Sequence, residues 1–319
     1  MSVLIIGGRG LIGMHACRRF LREGYPVVIY DVYSGKVGDF FDGLPAPTHI
    51  QGDVNDFDHL ADVIDRYQVK GAVHVSLAYG AIDAHKELAG SFKETVEGTF
   101  RFLEAARNKN LRVVCVNTQA VYGPRSDLKP VREDDPLNPN TIYSCWKAMS
   151  DMMCLTYNQV FKVDLAIVRT SFVYGAHRRK RQHLADVWLR KALAGEVIEM
   201  PDGADHQVDW TYAEDIAQGI FLAYSVRPIK HRVFNISQGK NITMKELAQA
   251  VMDLVPGSSI KLGPGFSEFF NKNVSPLRGP GDITRAREEL GYVPHYTIQK
   301  GLADLLDWIK KKEPLLEKE

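Results

Sequence analysis

Tyr143 and Lys147 stand four residues apart in a segment with a helical pattern. Residues at i and i+4 share one face of a helix, so one cavity can receive both side chains. A nearby ammonium favours the phenolate, and we expect it to lower the pKa of Tyr143 from its ordinary value of about 10. The spacing predicts a general acid/base, although the same pair also occurs by chance on many helices.

A glycine-rich turn, with the spacing G-x-x-G-x-x-G, follows a predicted strand at 3–6 and opens a predicted helix. Backbone of this kind can approach a pyrophosphate closely, and the free N–H groups at the helix start favour its charge. A second predicted strand ends at Asp31, which we expect to bind the adenosine ribose and to repel a 2′-phosphate. NAD is therefore favoured over NADP, with Arg9 as a weak opposing feature. The predicted cofactor contacts here are Gly7, Gly10, Leu11, Ile12, Gly13 and Asp31.

Two later strand ends complete the predicted cofactor site. Asp53 and Val54 follow a short strand, and Asp53 either binds the adenine edge or serves as a carboxylate near a helix start. Leu77 and Ala78 follow the strand at 71–75, where a small side chain lets a cofactor lie against the backbone. The alternation of strands and helices gives a doubly wound α/β fold.

Thr118 lies just past a strand at 111–116 that is apolar on both faces, as a central parallel strand should be. Ligands of open α/β folds bind at this carboxyl edge, so Thr118 is placed to hydrogen-bond a reacting oxygen or, alternatively, to cap backbone. Together with Tyr143 and Lys147 it predicts proton transfer coupled to hydride transfer at a secondary alcohol.

The bulk composition excludes several classes of protein. The 319 residues are 45% hydrophobic and carry 40 basic against 39 acidic side chains, so no global charge predicts nucleic-acid binding. The four cysteines have no paired spacing, which predicts reduced thiols rather than a metal site or disulfides. No apolar run is long enough to span a membrane, and the apolar start has no secretory pattern. We expect a cytoplasmic protein that binds a small molecule.

The order of these motifs resembles that of the extended short-chain dehydrogenase/reductase family, in its NAD-dependent epimerase/dehydratase group. The same order continues through Arg169-Thr170-Ser171, Asp209-Trp210-Thr211 and the Asp282–Tyr292 region. The resemblance implies a seven-stranded parallel Rossmann-type sheet with a smaller interleaved C-terminal substrate domain. It assigns 1–174 and 209–236 to NAD binding and 175–208 and 237–319 to substrate binding. It also implies a homodimer built on helices near 83–108 and 143–161.

Departures from the family pattern narrow the expected chemistry. Gln119-Ala120 stands where sugar-nucleotide dehydratases carry an acidic pair, so dehydration by that route is not expected. Phe172 and Val208 replace an Asn and an Arg that serve the diphosphate end of nucleotide-sugar substrates. Thr95 replaces an Asn that bridges to the catalytic helix, and Trp146 replaces a small residue.

The predicted substrate contacts begin with a basic stretch at 177–183, which either clamps an anion or is a solvated helix start. Arg278 either faces a phosphate or lies at the surface. The full set of predicted substrate residues is Tyr79, Gln119, Phe172, Arg178 and Arg278.

Three hypotheses of function follow. The first is an NAD-dependent oxidoreductase acting reversibly on a secondary hydroxyl or ketone of a small sugar-like or acidic substrate. The second is a nucleotide-sugar epimerase of the UDP-hexose type, with no net redox change. The third, an NAD(H)-sensing protein without chemistry, is disfavoured because Tyr143 and Lys147 are both present.

Overall fold

The computed structural model describes residues 2–34, 38–75, 80–176 and 183–311. The strands are β1 (Ser2–Ile6), β2 (Val27–Asp31), β3 (Thr48–Gln51), β4 (Val69–His74), β5 (Arg112–Thr118), β6 (Leu165–Thr170), β7 (Phe172–Tyr174), β8 (Ile198–Met200), β9 (Gln207–Val208), β10 (Trp210–Tyr212), β11 (Val233–Ile236), β12 (Ile242–Thr243) and β13 (Ile260–Leu262). Seven of them form one parallel sheet in the order β11-β6-β5-β4-β1-β2-β3. The predicted seven-stranded parallel sheet is confirmed.

Helices lie on both faces of this sheet and in a further core beyond it. They are α1 (Leu11–Arg22), α2 (Phe57–Arg66), α3 (Ala81–Ala84), α4 (Leu88–Phe92), α5 (Gly98–Asn108), α6 (Ile142–Phe161), α7 (Leu184–Leu193), α8 (Ala213–Ser225), α9 (Met244–Leu254), α10 (Glu268–Asn273), α11 (Thr284–Leu290) and α12 (Ile298–Lys311). None of the helices in the described ranges is long and apolar enough to cross a membrane.

The central strands are apolar on both sides because each side meets a separate helical layer. Val3 and Ile5 of β1 lie in one core with α1, α8 and α11, whereas Leu4 and Ile6 lie in a second core with α2, α5 and α6. Alternate residues of a strand point to opposite faces, so the continuous apolar runs that predicted buried strands are explained.

A third core lies beyond the sheet, where α7, α9 and α12 pack around the short strands β7 and β10. Trp188, Leu247 and Leu302 are among its buried side chains. Between α9 and α12 the chain returns to the first core, where Ala286 and Leu290 of α11 are buried. Because β7 follows directly after β6, this third core lies beside the carboxyl edge of the sheet.

The prediction of one continuous helix at 83–108 is wrong, because the structure divides this stretch into several helical segments. The carbonyl of Asp83 accepts hydrogen bonds from the N–H groups of Lys86 and Glu87, which closes a turn, and the helix restarts at Leu88. Its next segment, Lys93–Glu97, is π-helical before α5 continues to Asn108. π-helical turns are often found at functional sites, and this one packs against α6.

Candidate functional site

The glycine turn between β1 and α1 is shaped by backbone contacts that leave no room for side chains. Gly7 has a φ of 76°, in the left-handed region that favours glycine. A Cβ on Gly13 would lie 2.2 Å from the carbonyl oxygen of Gly7. Gly10 is the N-cap of α1, so the free N–H groups of the first helical turn follow directly after it. This cradle fits a pyrophosphate, as the predicted contacts Gly7, Gly10, Leu11, Ile12 and Gly13 require.

Gly13→Ala should destabilise the protein by about 1 to 3 kcal/mol, because the added methyl overpacks the turn. Urea unfolding of the protein without cofactor measures the effect. Gly10→Ala is the matched control, since its Cβ would lie an ordinary 3.4 Å from the nearest atom, the Gly7 oxygen. Equal unfolding midpoints for the two variants would show that the close approach at Gly13 is not what holds the turn.

Asp31 closes β2 beside this turn. Its carboxylate is nearly buried and accepts hydrogen bonds from the backbone N–H of Arg9 at 3.0 Å and of Tyr33 at 3.1 Å. Asp53 is exposed and accepts from the backbone and side-chain amides of Asn55, at 2.9 and 3.0 Å. The side-chain cap of α2 is Asp56, so Asp53 is not the N-cap. Val54 is buried against Gly98 of α5.

Thr118 and Tyr143 meet at the carboxyl edge of the sheet. Thr118 ends β5, and its hydroxyl lies close enough to the phenol of Tyr143 to lower the pKa of that phenol. Thr141 caps α6 through a reciprocal pair of hydrogen bonds with Ser144, which places Tyr143 in the first turn of that helix. Strand β4 lies between β1 and β5, so the strands that carry the glycine turn and Thr118 are two spacings, about 10 Å, apart across the sheet.

The pKa of Tyr143 differs from the sequence prediction. Burial of the phenol raises its pKa, and the nearby hydroxyl of Thr118 and the charge of Arg278 offset this only in part. Lys147 does not supply the predicted lowering. The phenol and the ammonium lie along one face of α6, but burial of the phenol sets the direction of its pKa shift.

Lys147 is almost completely buried, and burial lowers its pKa. The charges of Glu94 and then Asp151 oppose that shift. The ammonium also lies near His74 at the end of β4. Burial and then the charge of Lys147 lower the pKa of His74 to about 3. Lys147 thus lies close to two central strands, at His74 of β4 and Cys115 of β5.

A buried ionic network beneath α6 was not predicted. Asp151 is fully buried and pairs with Arg169, whose Nε is 2.6 Å from Oδ2. The side-chain amide of Asn117 also donates to Asp151, and Arg169 donates to the phenol of Tyr122 at 2.8 Å. The spacing of Tyr143, Lys147 and Asp151 at successive intervals of four extends one helix face, which is the signal that could have revealed Asp151.

The bridge between α6 and the π-helical turn is made without the Asn that the resemblance placed at 95. The Ser150 hydroxyl donates to the carbonyl of Thr95 at 3.2 Å. The indole N–H of Trp146 donates to the hydroxyl of Ser91, also at 3.2 Å. Trp146 and Ser150 are one helical turn apart, so α6 is hydrogen-bonded to the π-helical turn at Thr95 and to the preceding helix α4 at Ser91.

The predicted substrate residues occupy different environments. Gln119 is 1% exposed and donates from its side-chain amide to the carbonyl of Arg169 at 3.5 Å. Phe172 is half-buried, with its ring 4.6 Å from that of Trp210. Arg278 lies near Tyr143, and its Nη1 is buried with no hydrogen-bond partner among the described residues. Burial lowers the pKa of Arg278 to about 10.

Several predicted contacts lie outside the described residues. These are Leu77, Ala78, Tyr79 and Arg178, together with the rest of the basic stretch except His183. His183 precedes α7, and burial lowers its pKa to about 4.

Comparisons with known proteins agree with this geometry. A sequence profile of the NAD dependent epimerase/dehydratase family matches residues 3–237. Low-salt glycan biosynthesis protein Agl12 of Haloferax volcanii is 28% identical over 322 residues, covering 97% of the chain and 98% of that protein. A dTDP-glucose 4,6-dehydratase of Streptomyces antibioticus is 28% identical over 324 residues, covering 97% and 92%.

The fold is also that of solved enzymes. The crystal structure of UDP-glucose 4-epimerase with UDP-glucose from Thermotoga maritima has a TM-score of 0.86 at 20% identity, covering 98% of this chain and 99% of that one. The predicted family, and with it the predicted dependence on NAD, is confirmed by the profile match over more than half of the chain. The chain belongs to the NAD dependent epimerase/dehydratase family.

Proposed function

We propose that the chain catalyses reversible hydride transfer at a secondary hydroxyl or ketone of a small sugar-like or acidic substrate, with Tyr143 as the acid/base. The observation that carries this proposal is the position of the Thr118 hydroxyl next to the Tyr143 phenol, at the same sheet edge as the glycine turn. The bound nicotinamide supplies the hydride acceptor or donor.

Each of the three side chains has a distinct task in this proposal. The Tyr143 phenolate takes the hydroxyl proton as the carbinol is oxidised and returns it when a ketone is reduced. The Thr118 hydroxyl holds the reacting oxygen in line with that phenol. Lys147 binds the nicotinamide ribose, and its ammonium adds positive charge behind the reacting atoms.

The far side of the site supports a substrate without a diphosphate. Val208 is 3% exposed within the third core, and Phe172 packs against Trp210, so neither position offers a cation or an amide. The unpartnered Nη1 of Arg278 provides one donor for an anion near Tyr143. One carboxylate on the substrate satisfies it.

A nucleotide-sugar epimerase is the second candidate. The same Arg278 nitrogen would donate to a phosphate oxygen, and the dehydratase relative is named for a nucleotide sugar. Dehydration is not proposed, because neither Gln119 nor Ala120 is an acid.

Absorbance at 340 nm separates the two candidates. The enzyme is incubated with NAD⁺ and a panel of sugar acids, polyols and nucleotide sugars, and product is quantified in parallel. A dehydrogenase accumulates NADH in step with product, whereas an epimerase forms product with no net NADH. Product formation without lasting absorbance would replace the first candidate by the second.

Asp31→Asn should relax the preference for NAD over NADP by about tenfold, equivalent to about 1.4 kcal/mol, because it removes the charge that repels a 2′-phosphate. Calorimetric dissociation constants for both cofactors give the ratio. Asp53→Asn is the control, since we expect Asp53 to contribute equally to both cofactors. An unchanged ratio in Asp31→Asn would mean that Asp31 does not discriminate between them.

A homodimer through α5 and α6 is part of the proposal. Met152, Val160 and Phe161 of α6 and Phe100 of α5 are at least 40% exposed, an apolar surface that a second copy would cover. Met152→Glu should shift sedimentation from dimer to monomer. Phe269→Glu on α10, at the same 62% exposure as Met152, should leave the dimer intact. A monomeric wild-type protein would contradict this arrangement.

The assignment of chain segments to cofactor binding and to substrate binding is also part of the proposal. Residues 1–174 and 209–236 bind NAD, and 175–208 and 237–319 bind substrate, consistent with the separate core formed by α7, α9 and α12. A cytoplasmic location is supported by the four cysteines, all of which are free thiols.

A further inference from the structure

One buried side chain joins the end of β5 to the catalytic helix α6. Asn117 is 6% exposed, and its carboxamide oxygen accepts a hydrogen bond from the backbone N–H of Thr118 at 2.8 Å. Its carboxamide nitrogen donates to the backbone carbonyl of Lys147 at 2.9 Å and also to the carboxylate of Asp151. A single side chain therefore contacts the backbone of both Thr118 and Lys147, two of the three residues to which the proposed function gives a task.

The two backbone partners determine which way this carboxamide faces. The N–H of Thr118 can only donate a hydrogen bond, and the carbonyl of Lys147 can only accept one. Both are satisfied when the amide oxygen of Asn117 lies towards β5 and the amide nitrogen lies towards α6. An apolar side chain of the same size would remove this partner from both groups.

The backbone that Asn117 holds sets the position of the Thr118 hydroxyl. That hydroxyl accepts a hydrogen bond from the N–H of Ala120 at 3.2 Å, which fixes its direction relative to the chain. The backbone carbonyl of Asn117 accepts from the hydroxyl of Thr170 in β6 at 3.1 Å. Among the described residues, β5 pairs with β6 as far as Thr118 but with β4 only as far as Cys115. Side-chain hydrogen bonds thus hold the end of β5 where its pairing with one neighbouring strand has ended.

A second connection between α6 and the sheet lies one helical turn beyond Lys147. Asp151 pairs with Arg169 of β6, with 2.6 Å between the charged atoms. Arg169 also donates to the phenol of Tyr122, which donates to the side chain of Asn235 in β11 at 2.9 Å. The ion pair therefore connects α6 with β6 and β11, whereas the carboxamide of Asn117 connects it with the end of β5.

We propose that Asn117 is a positioning residue. Its carboxamide sets the distance between Thr118, which holds the reacting oxygen, and the turn of α6 that presents Lys147 to the nicotinamide ribose. This inference rests on the proposed function, because Asn117 acts through the tasks given there to Thr118 and Lys147. A carboxamide has no proton to exchange near pH 7, so its task is geometric and separate from proton transfer.

Two dissociation constants test this task without substrate and without turnover. NAD⁺ carries the nicotinamide ribose, whereas ADP ends at the pyrophosphate and lacks it. Asn117→Ser should raise the calorimetric dissociation constant of NAD⁺ about fivefold, the size of one lost hydrogen bond, and leave that of ADP within about twofold. Asn117→Leu, which has the same number of side-chain heavy atoms but neither donor nor acceptor, should change the ratio in the same direction.

Asn235→Ser is the matched control. Asn235 is fully buried in the same network, and its side-chain nitrogen donates to the carbonyl of Val131 at 2.9 Å. The variant removes a carboxamide but leaves the contacts with Thr118 and Lys147 in place, so neither dissociation constant should change. An NAD⁺-to-ADP ratio in Asn117→Ser equal to that of wild type, or an equal change in Asn235→Ser, would overturn the assignment. Failure of the proposed function is seen separately, as bound NAD⁺ that no member of the substrate panel reduces.

Discussion

Tyr143→Phe should reduce turnover by at least about a hundredfold and leave the dissociation constant of NAD⁺ nearly unchanged. The substitution removes the only oxygen of this side chain, and with it proton transfer, while the ring stays in place. Steady-state rates with the substrate found in the panel, and calorimetric titration with NAD⁺, measure the two effects.

Tyr157→Phe is the matched control on the same helix. Its hydroxyl donates to Glu104 at 3.0 Å, away from Thr118, so the variant loses a phenolic oxygen without losing the proposed base. It should turn over at close to the wild-type rate. A Tyr143→Phe enzyme with near wild-type turnover would exclude Tyr143 as the acid/base.

The pH dependence of oxidation has a defined direction. Burial raises the pKa of Tyr143, so the protein by itself keeps this phenol neutral at pH 7. The positive charge of the oxidised nicotinamide ring favours the phenolate when the cofactor is bound. The oxidation rate should therefore rise with pH and level off above the Tyr143 pKa. In Tyr143→Phe this rise of the oxidation rate with pH should be absent.

Arg169→Met should lower the free energy of unfolding by about 3 to 5 kcal/mol, because it leaves the Asp151 carboxylate buried without its cation. Arg169 and Asp151 are 3% and 0% exposed, so water cannot replace the missing partner. Urea unfolding followed by circular dichroism measures the loss. Arg169→Met/Asp151→Leu should recover most of it, because an apolar pair leaves no buried charge.

Arg107→Met makes the same chemical change at an exposed pair. Arg107 lies 2.9 Å from Glu104 at the surface, where solvent screens the interaction, and the loss should be small. An Arg169→Met variant as stable as Arg107→Met would show that the buried pair does not stabilise the fold. A double variant no better than Arg169→Met would show that packing, rather than charge, accounts for the effect.

The parts predicted correctly from the sequence were those set by local periodicity. The strand at Val27–Asp31 lies as expected, because buried parallel strands are continuous apolar runs closed by polar or glycine residues. Tyr143 and Lys147 lie on one helix, α6, as their spacing predicted. The position of Thr118 followed from the rule that ligands bind at the carboxyl ends of strands.

The parts that were missed depend on packing between distant segments. The predicted direction of the Tyr143 pKa shift was wrong, because the local sequence shows the neighbouring ammonium but not that the phenol is buried. Asp151 and Arg169 meet only when α6 folds over the sheet. The break before Leu88 and the π-helical turn were also missed.

The most direct measurement of the central claim is the 340 nm absorbance of a stoichiometric complex of the protein with NAD⁺, recorded in a single turnover after addition of each member of the secondary-alcohol panel. We predict that at least one member produces absorbance at 340 nm, transient or lasting, in the wild-type complex and none in Tyr143→Phe. Bound NAD⁺ that is reduced by no member of the panel, or reduced equally in Tyr143→Phe, would contradict the account.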